Sequence, residues 1–277
     1  AANVAIRSLK GPEVTKLNQG WSSGNHGVKL NHIGSVIDGF MFYNGYTTAW
    51  NVHGIELTVT KGHVQNCIFH SCSYDPCNNS SFELSGTGWV RKSVFRGATK
   101  HSSNSGYVAQ LVCSGGLVDS CVFTNNDWQS GTRGNGTTFR NCLFAGNKSS
   151  RSDDNASGGA LRFDGACAVE NCTFVNNSAG YRSGAVHGTA HLVNCAFAGN
   201  TVPQADNGMD TYGSSARMIG CVSSYVSGSY DGNIVGKYAY DPEIANDYHP
   251  TSVSPTRNKG VYAKAAYALG AVDMDGT

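Results

Sequence analysis

The chain has 277 residues, and its 20 Lys+Arg nearly balance its 19 Asp+Glu, for a formal net charge of +1. Nucleic acids and anionic membranes attract clustered positive charge, so this balance argues against both as partners. With 40% hydrophobic residues, 14% charged residues and 35 Gly, the composition excludes disorder and disfavours helices. No apolar run approaches the roughly 20 residues that span a bilayer, and residues 1–15 lack the pattern of a signal peptide. We therefore expect no membrane insertion.

A short phrase that contains Cys and Phe recurs along the chain and marks a repeat. It begins as GFMF at Gly39–Phe42, becomes NCIF at Asn66–Phe69 and last occurs as GCVS at Gly220–Ser223. The copies between these are KSVF, SCVF, NCLF, NCTF and NCAF, which end at Phe95, Phe123, Phe144, Phe174 and Phe197. Successive Phe are 21 to 30 residues apart. Such variable spacing favours coils of short strands joined by adjustable loops over a helical repeat.

The Cys and the Phe of this phrase are two residues apart, so they share one side of a strand. Stacking the strands in register predicts an internal column of thiols: Cys67, Cys121, Cys142, Cys172, Cys195 and Cys221. It also predicts a column of rings: Phe42, Phe69, Phe95, Phe123, Phe144, Phe174 and Phe197. Because parallel strands lie about 4.8 Å apart, these rings can stack.

An Asn follows four of these Phe by three positions, at Asn126, Asn147, Asn177 and Asn200. Asn tolerates left-handed backbone at a bend, and its amide can bond the Asn of the next coil. We therefore expect an Asn ladder at a corner of the coil. Cys72 stands at this position after Phe69 and departs from the pattern.

A second set of predicted strands precedes the phrases, with Gly at the turns. These strands are Gly54–Val59, Phe82–Leu84, Val108–Val112, Gly158–Phe163 and Ser183–Gly188. Two strands in each coil predict an all-β fold, a single-stranded right-handed parallel β-helix, over residues 1–240. Residues 241–277 are expected to form a short closing segment that caps the last coil.

The pairing of GGA-type strands (GGALRF, SGAVHG) with F-x-x-N phrases (FTNN, FAGN, FVNN) resembles the repeats of polymorphic outer membrane proteins. It is also similar to the wider pectate-lyase-like β-helix superfamily. The opening VAIRSLKGPEVT and VIDGFMFYNG resembles the first coils of such surface proteins, and Asp241–Gly260 resembles their closing segment. The resemblance implies a bacterial protein that is secreted or at the cell surface, here as a trimmed fragment. Because the superfamily includes lyases, hydrolases, epimerases and adhesins, it implies little about activity.

Ten Cys raise the question of disulfides. We expect the six column thiols to be reduced, because in-register Cys have parallel Cβ vectors that strain a disulfide. Cys72 and Cys77, in CSYDPC, are the best disulfide candidates, and the state of Cys113 and Cys167 stays open. No second Cys pair with ligand spacing follows, so we expect no metal there.

One outward row of the second strand set carries candidate catalytic residues, which are Glu56, Glu83, Gln110, Arg162 and His187 in coil order. Glu56 and Glu83 on neighbouring coils would lie about 5 Å apart, which suits a retaining glycosidase or a shared Ca²⁺. Arg162 could neutralise a uronate while His187 abstracts its C5 proton, as β-elimination requires. The competing interpretation is a solvated polar stripe with no catalytic role. No other cofactor is expected.

Aromatic residues in predicted loops favour a binding role, because aromatic rings stack on sugar faces. Trp50, Trp128 and Tyr107, with Gln110, are the candidate substrate-binding residues, although they could instead pack against coil edges. Three functions are therefore compatible with the sequence. They are a monomeric surface module that binds glycans or host partners, a polysaccharide lyase or glycoside hydrolase, and a structural stalk. The lack of a compact catalytic motif favours the first.

Overall fold

The computed structural model describes residues 3–18, 27–43, 46–47, 56–70, 73–74, 80–99, 109–128, 132–150, 157–203, 210–212, 217–219, 221–223 and 238–239. Within these ranges every regular element is a β-strand, and the strands pair in parallel, coil upon coil. This arrangement is a parallel β-solenoid and confirms the predicted all-β fold. The closing segment predicted at 241–277 lies outside the described residues. The described part of the chain contains no helix with the length and apolar character needed to cross a membrane.

Each coil has three faces, whereas the sequence predicted two strands in each coil. The first face is formed by β3 (Gly27–Leu30), β7 (Glu56–Val59), the first parts of β11 (Ser80–Arg91) and β13 (Ala109–Asp119), β16 (Thr132–Asn135), β20 (Leu161–Phe163), β24 (Val186–His187) and β27 (Thr211–Tyr212). The second face is formed by β1 (Ala5–Arg7), β4 (Val36–Asp38), β8 (His63–Gln65), the second parts of β11 and β13, β17 (Thr138–Arg140), β21 (Cys167–Glu170), β25 (Ala190–Val193) and β28 (Arg217–Ile219).

The third face carries the Cys–Phe phrases. It is formed by β2 (Lys16–Asn18), β5 (Met41–Tyr43), β9 (Ile68–His70), β12 (Val94–Arg96), β14 (Val122–Thr124), β18 (Leu143–Ala145), β22 (Thr173–Val175), β26 (Ala196–Ala198), β29 (Val222–Ser223) and β30 (Tyr238–Ala239). Two small sheets extend the coils beyond it. They are β6 (Tyr46–Thr47) with β10 (Ser73–Tyr74), and β15 (Asp127–Trp128) with β19 (Lys148–Ser149) and β23 (Ser178–Ala179).

The second face was missed because its strands are short and each turns one central apolar side chain inward. Val64, Val118 and Val169 are such residues, and each is completely buried. In β11 and β13 the first and second faces run on in one strand, so no break separates them. A single inward apolar residue in such a short stretch gives too little alternation to define a strand from sequence.

Left-handed residues make the bends on both sides of the third face. The Asn that begins the phrase adopts φ of 51° at Asn66, 52° at Asn141 and Asn171, and 53° at Asn194. Asn is the side chain that most readily adopts this conformation, which explains its recurrence before Cys. The bend after Phe is made by the residue two positions on, such as Asn176 with φ of 54°. The prediction that the ladder Asn itself is left-handed was therefore wrong by one residue.

Aromatic rings form one continuous stack inside the solenoid, as the repeat predicted. From Phe42 to Phe197, successive rings of the column lie 4.6 to 5.0 Å apart, with interplanar angles of 4° to 8°. The seven rings are 0 to 2% exposed. The in-register pairing of the third face, for example Phe123 with Phe144, holds them at this spacing.

The Asn ladder is also present and entirely buried. The amide nitrogen of Asn126 donates to Oδ1 of Asn147 at 2.9 Å, Asn147 donates to Asn177 at 2.9 Å, and Asn177 donates to Asn200 at 3.0 Å. Each amide also donates to the carbonyl oxygen of a column Phe, as Asn177 does to Phe144 at 2.9 Å. Because backbone groups take part at each rung, the direction of every side-chain amide is fixed.

The six column cysteines are buried in the core, as the repeat predicted, and none of them forms a disulfide. In the coils of β5 and β12 this position is held by Phe40 and Ser93. From Cys67 to Cys195, each thiol donates to the carbonyl oxygen two residues before it, as Cys142 does to Arg140 at 3.1 Å. Burial raises the pKa of Cys67 to about 11, and it also raises the pKa of Cys121, Cys172 and Cys195 well above the usual value of a thiol.

The remaining cysteines divide into two pairs. Cys113 and Cys167 are free and buried in the core, and burial raises the pKa of Cys167 to about 11. Cys72 and Cys77 lie outside the described residues, so their proposed disulfide stays a prediction.

Candidate binding site

The outward side of the first face carries a column of side chains that the strand register brings together. Arg133 of β16 is the register partner of Arg162 of β20, Arg162 is the partner of His187 of β24, and His187 is the partner of Tyr212 of β27. We call these four residues the cationic column. Their neighbours in each strand, such as Leu161 and Phe163, point inward and are buried, so the pleat turns the column outward.

Asp164 bridges the two arginines of the cationic column. It follows Phe163 directly at the end of β20, where its backbone N–H donates to the carbonyl oxygen of Gly134 at 3.0 Å. Its Oδ2 accepts from Nε of Arg133 at 2.9 Å and also from Nη2 of Arg133. Its Oδ1 lies 3.6 Å from Nε of Arg162. One carboxylate therefore faces two guanidinium groups from adjacent coils.

A third guanidinium lies between two tyrosine rings at the other end of the column. The guanidinium carbon of Arg182 is 4.7 Å from the ring centroid of Tyr181 and 4.8 Å from that of Tyr212. The imidazole of His187 stacks on the Tyr212 ring, with centroids 5.8 Å apart and an interplanar angle of 5°. Cation–π contacts of this kind hold Arg and Tyr side chains in a fixed arrangement. The site thus combines three guanidinium groups, one carboxylate and flat aromatic surfaces.

Gly188 fixes the position of His187 at the end of β24. Its φ is +104°, which side chains rarely adopt, and a Cβ there would collide with the carbonyl oxygen of Phe163. Glycine thus allows the chain to turn immediately after His187 while remaining against the coil of Arg162.

The predicted carboxylate pair is not formed. Glu83 is the register partner of Thr58 on one side and of Val112 on the other, and Glu56 lies two residues before Thr58 on its strand. The prediction that Glu56 and Glu83 face each other on neighbouring coils was therefore wrong, because it set the strands two residues out of register. For the same reason Gln110 does not belong to this row. Val112, two residues later, is the register partner of both Glu83 and Arg133.

The aromatic residues predicted to bind substrate are only partly described. Trp128 lies in β15, which pairs with β19 of the next coil. Trp50 and Tyr107 lie outside the described residues. The roles assigned to these three, and to Gln110, stay predictions.

A second charged column, on the second face, has a structural character. Arg91, Asp119, Arg140 and Glu170 are successive register partners, and Asp119 contacts both arginines at 3.2 Å. The hydrogen bond from Arg140 to Asp119 raises the pKa of Arg140, whereas burial raises the pKa of Glu170 against the opposing effect of Arg140. Because Asp119 and Glu170 are buried, this column links coils rather than facing a ligand.

Arg133, Asp164, Arg182 and Tyr212 were missed from sequence, and the reason is clearest for Arg133. The repeat unit TRGN at Thr132–Asn135 carries no GGA signature, so its coil was not assigned a strand on this face. A usable signal was the spacing from Arg133 to Arg162, which is 29 residues and equals one long coil. No group of three or more His, Cys, Asp or Glu side chains among the described residues is arranged to hold a metal ion.

Comparisons with known proteins leave the ligand open. No protein-family model matches the chain, and searches of the curated proteins and of the solved structures likewise find no match. The ligand therefore has to be inferred from the chemistry of the side chains in the site.

Proposed function

We propose that this chain is a β-solenoid module that binds an acidic polysaccharide across its first face, at the cationic column. The observation that carries this proposal is the placing of Arg133, Arg162 and His187 on three successive coils, with one outward orientation. Coils repeat about every 4.8 Å, so successive units of an extended chain can contact successive side chains. Guanidinium groups bind carboxylates and sulfates through paired, charge-assisted hydrogen bonds.

The tyrosine rings at one end of the cationic column favour an acidic sugar chain over other anions as the ligand. Tyr181 and Tyr212 place ring surface beside the Arg182 guanidinium, and sugar rings pack on such surfaces. Single-stranded nucleic acid would also use cations and aromatic rings. The net charge of +1 argues against it, because nucleic-acid binding depends on a large excess of positive charge.

The resemblance to polymorphic outer membrane proteins and to pectate-lyase-like β-helices supports an extracellular location for this function. We place the module outside a bacterial cell, secreted or at the surface, where acidic polysaccharides are available as partners. No cofactor is needed for such binding.

The binding test uses polygalacturonate and dextran sulfate as acidic polymers and dextran as the neutral comparator. Isothermal titration calorimetry should show binding to an acidic polymer that weakens with added salt, and none to dextran. Arg162→Gln and Arg133→Gln should each weaken it about tenfold or more. Arg7→Gln is the matched control, because it removes the same charge from a well-exposed side chain on the second face. Equal binding by wild type and both column variants would refute the proposal, and a complete absence of binding would favour a stalk.

A second candidate function is β-elimination at the same residues, favoured by the direct pairing of Arg162 with His187. Arg162 would neutralise the uronate carboxylate while His187 accepts the C5 proton. The C5–H electron pair would form the C4=C5 double bond, the C4–O bond would break, and the departing oxygen would take a proton from water. Polygalacturonate incubated with the protein should then gain ultraviolet absorbance from unsaturated ends. His187→Ala should abolish this gain, and a flat absorbance with wild type excludes it.

A further inference from the structure

Asp164 is more exposed to solvent than the two arginines with which it pairs. Its side chain is 39% exposed, compared with 24% for Arg133 and 16% for Arg162. Asp164 is therefore the more solvent-accessible partner in both of its ion pairs, and solvent or a ligand can reach it.

The second charged column shows what a carboxylate with a purely structural role looks like in this fold. Asp119 also lies between two arginines of adjacent coils, Arg91 and Arg140, but its side chain is only 11% exposed. It accepts a further hydrogen bond from the side-chain amide of Asn141 at 3.3 Å. Asp119 is thus fixed inside the wall of the solenoid, whereas Asp164 follows the end of a strand and faces solvent.

We propose that Asp164 pairs with Arg133 and Arg162 in the unbound protein in the way that an acidic group of the ligand pairs with them in the complex. The ligand then displaces Asp164 from both arginines. This inference rests on the proposed function. Ion pairs whose carboxylate is accessible to solvent are weak, so an incoming carboxylate or sulfate can replace the 39% exposed Asp164 at little cost. A neutral sugar cannot replace it and leaves the guanidinium groups paired with Asp164. Asp164 therefore sets the selectivity of the site for acidic chains.

The proposal predicts that removing this acidic side chain improves binding. Asp164→Asn keeps the shape of the side chain but removes the charge that competes with the ligand. Its affinity for polygalacturonate should rise about fivefold, as expected for the loss of a surface ion-pair competitor. Like wild type, it should show no binding to dextran. A structural role for the ion pair predicts the opposite, because the arginines would then lose their alignment.

The experiment compares wild type, Asp164→Asn, Asp164→Ser and Arg162→Gln by titration with polygalacturonate, with urea unfolding as a check on folding. Glu13→Gln is the charge-matched control, since it removes a 64% exposed carboxylate that pairs with Arg96 of the third face. Tighter binding by both Asp164 variants and not by Glu13→Gln supports the proposal. Unchanged or weaker binding by folded Asp164 variants overturns it, as does an equal gain in Glu13→Gln.

Failure of the proposed function itself gives a different result. Wild type and all variants would then bind polygalacturonate equally or not at all, including Arg162→Gln. The affinity of the Asp164 variants for single-stranded DNA should rise less than their affinity for polygalacturonate. An equal or larger rise for DNA would also count against the proposal, because it would show a general preference for polyanions.

Discussion

The side-chain amide of Asn200 donates to Oδ1 of Asp210 at 3.0 Å, so the Asn ladder ends on a carboxylate. Each Asn of the ladder accepts on its oxygen and donates from its nitrogen, which gives the ladder a direction. The last member only has to accept, and a carboxylate is an acceptor without donors. Asp210 is buried and its backbone oxygen accepts from Ser183, so this end of the ladder is held in place from both sides.

Breaking the ladder in its middle should strongly destabilise the protein. Asn177 donates to Phe144 and Asn200, and its oxygen accepts from the backbone and side chain of Asn147. Asn177→Ala leaves these buried groups without partners, which should lower the free energy of unfolding by about 3 kcal/mol or more. Urea unfolding followed by circular dichroism measures the change. Asp210→Asn keeps an acceptor for Asn200 and should cost clearly less, and an equal loss in both would contradict this account.

Removing one ring from the aromatic stack should have a similar cost for a different reason. Phe174 packs between Phe144 and Phe197, with both ring centroids at 4.9 Å, and is completely buried. Phe174→Ala should lower the free energy of unfolding by about 3–5 kcal/mol through lost contacts and the remaining cavity. Thr173→Ala, on the outward side of the same strand, is the control and should change stability by less than about 1 kcal/mol. Comparable losses would show that the stack is not the main source of coil-to-coil stability.

The raised pKa of Cys67 should make the protein unstable in alkali. The unfolded thiol ionises near its ordinary pKa of 9.0, whereas the native thiol keeps its proton to about 11. The native state therefore binds more protons in this interval, so stability is full below pH 9 and is lost as the pH rises to 11, by about 3 kcal/mol for this thiol. Cys67→Ala and Cys67→Ser should both show a shallower decline in urea unfolding between pH 8.5 and 11. Ser93 already occupies this column position in the next coil, so serine has a precedent there. An unchanged slope in both variants would contradict the shift.

Glu170 should give a second pH dependence, in acid. Burial raises its pKa in the native state above the ordinary value of 4.5. The native state then retains a proton that the unfolded chain has lost, so the contribution of Glu170 falls as the pH rises through and above 4.5. Unfolding free energies of wild type and Glu170→Gln, measured from pH 4 to pH 7, should diverge in favour of the variant as the pH rises. Parallel curves would show that Arg140 fully offsets the burial.

Much of the fold could be predicted because the same residue type recurs at the same position of successive coils. Phe123 and Phe144 end two copies of the same phrase, SCVF and NCLF, so stacking the strands in register places both rings inside. The same holds for the thiols of Cys142 and Cys172 and for the amides of Asn147 and Asn177. These columns need no knowledge of the loops, since each coil contacts only its neighbours.

The site was less predictable because it depends on register between coils of unequal length. Arg162 and His187 were paired correctly, since each occupies the same position in a GGA-type strand. Glu56 was placed opposite Glu83 instead of Thr58, an error of two residues that alternation cannot detect, because both positions point outward. Asp164 and Arg182 lie in turns, where the sequence carries no periodicity to place them.

The column of free thiols has a consequence for how this chain can be made. Once the coils have closed, the sulfur atoms are out of reach of oxidants, so the finished solenoid needs no reducing surroundings to keep them. Before closure the same residues, from Cys67 to Cys221, are spread along a flexible chain and can crosslink in many wrong combinations. In oxidising conditions, the stacking of the coils therefore competes with disulfide formation. Refolding in air should yield misfolded, disulfide-crosslinked chains, and added reductant should restore correct folding.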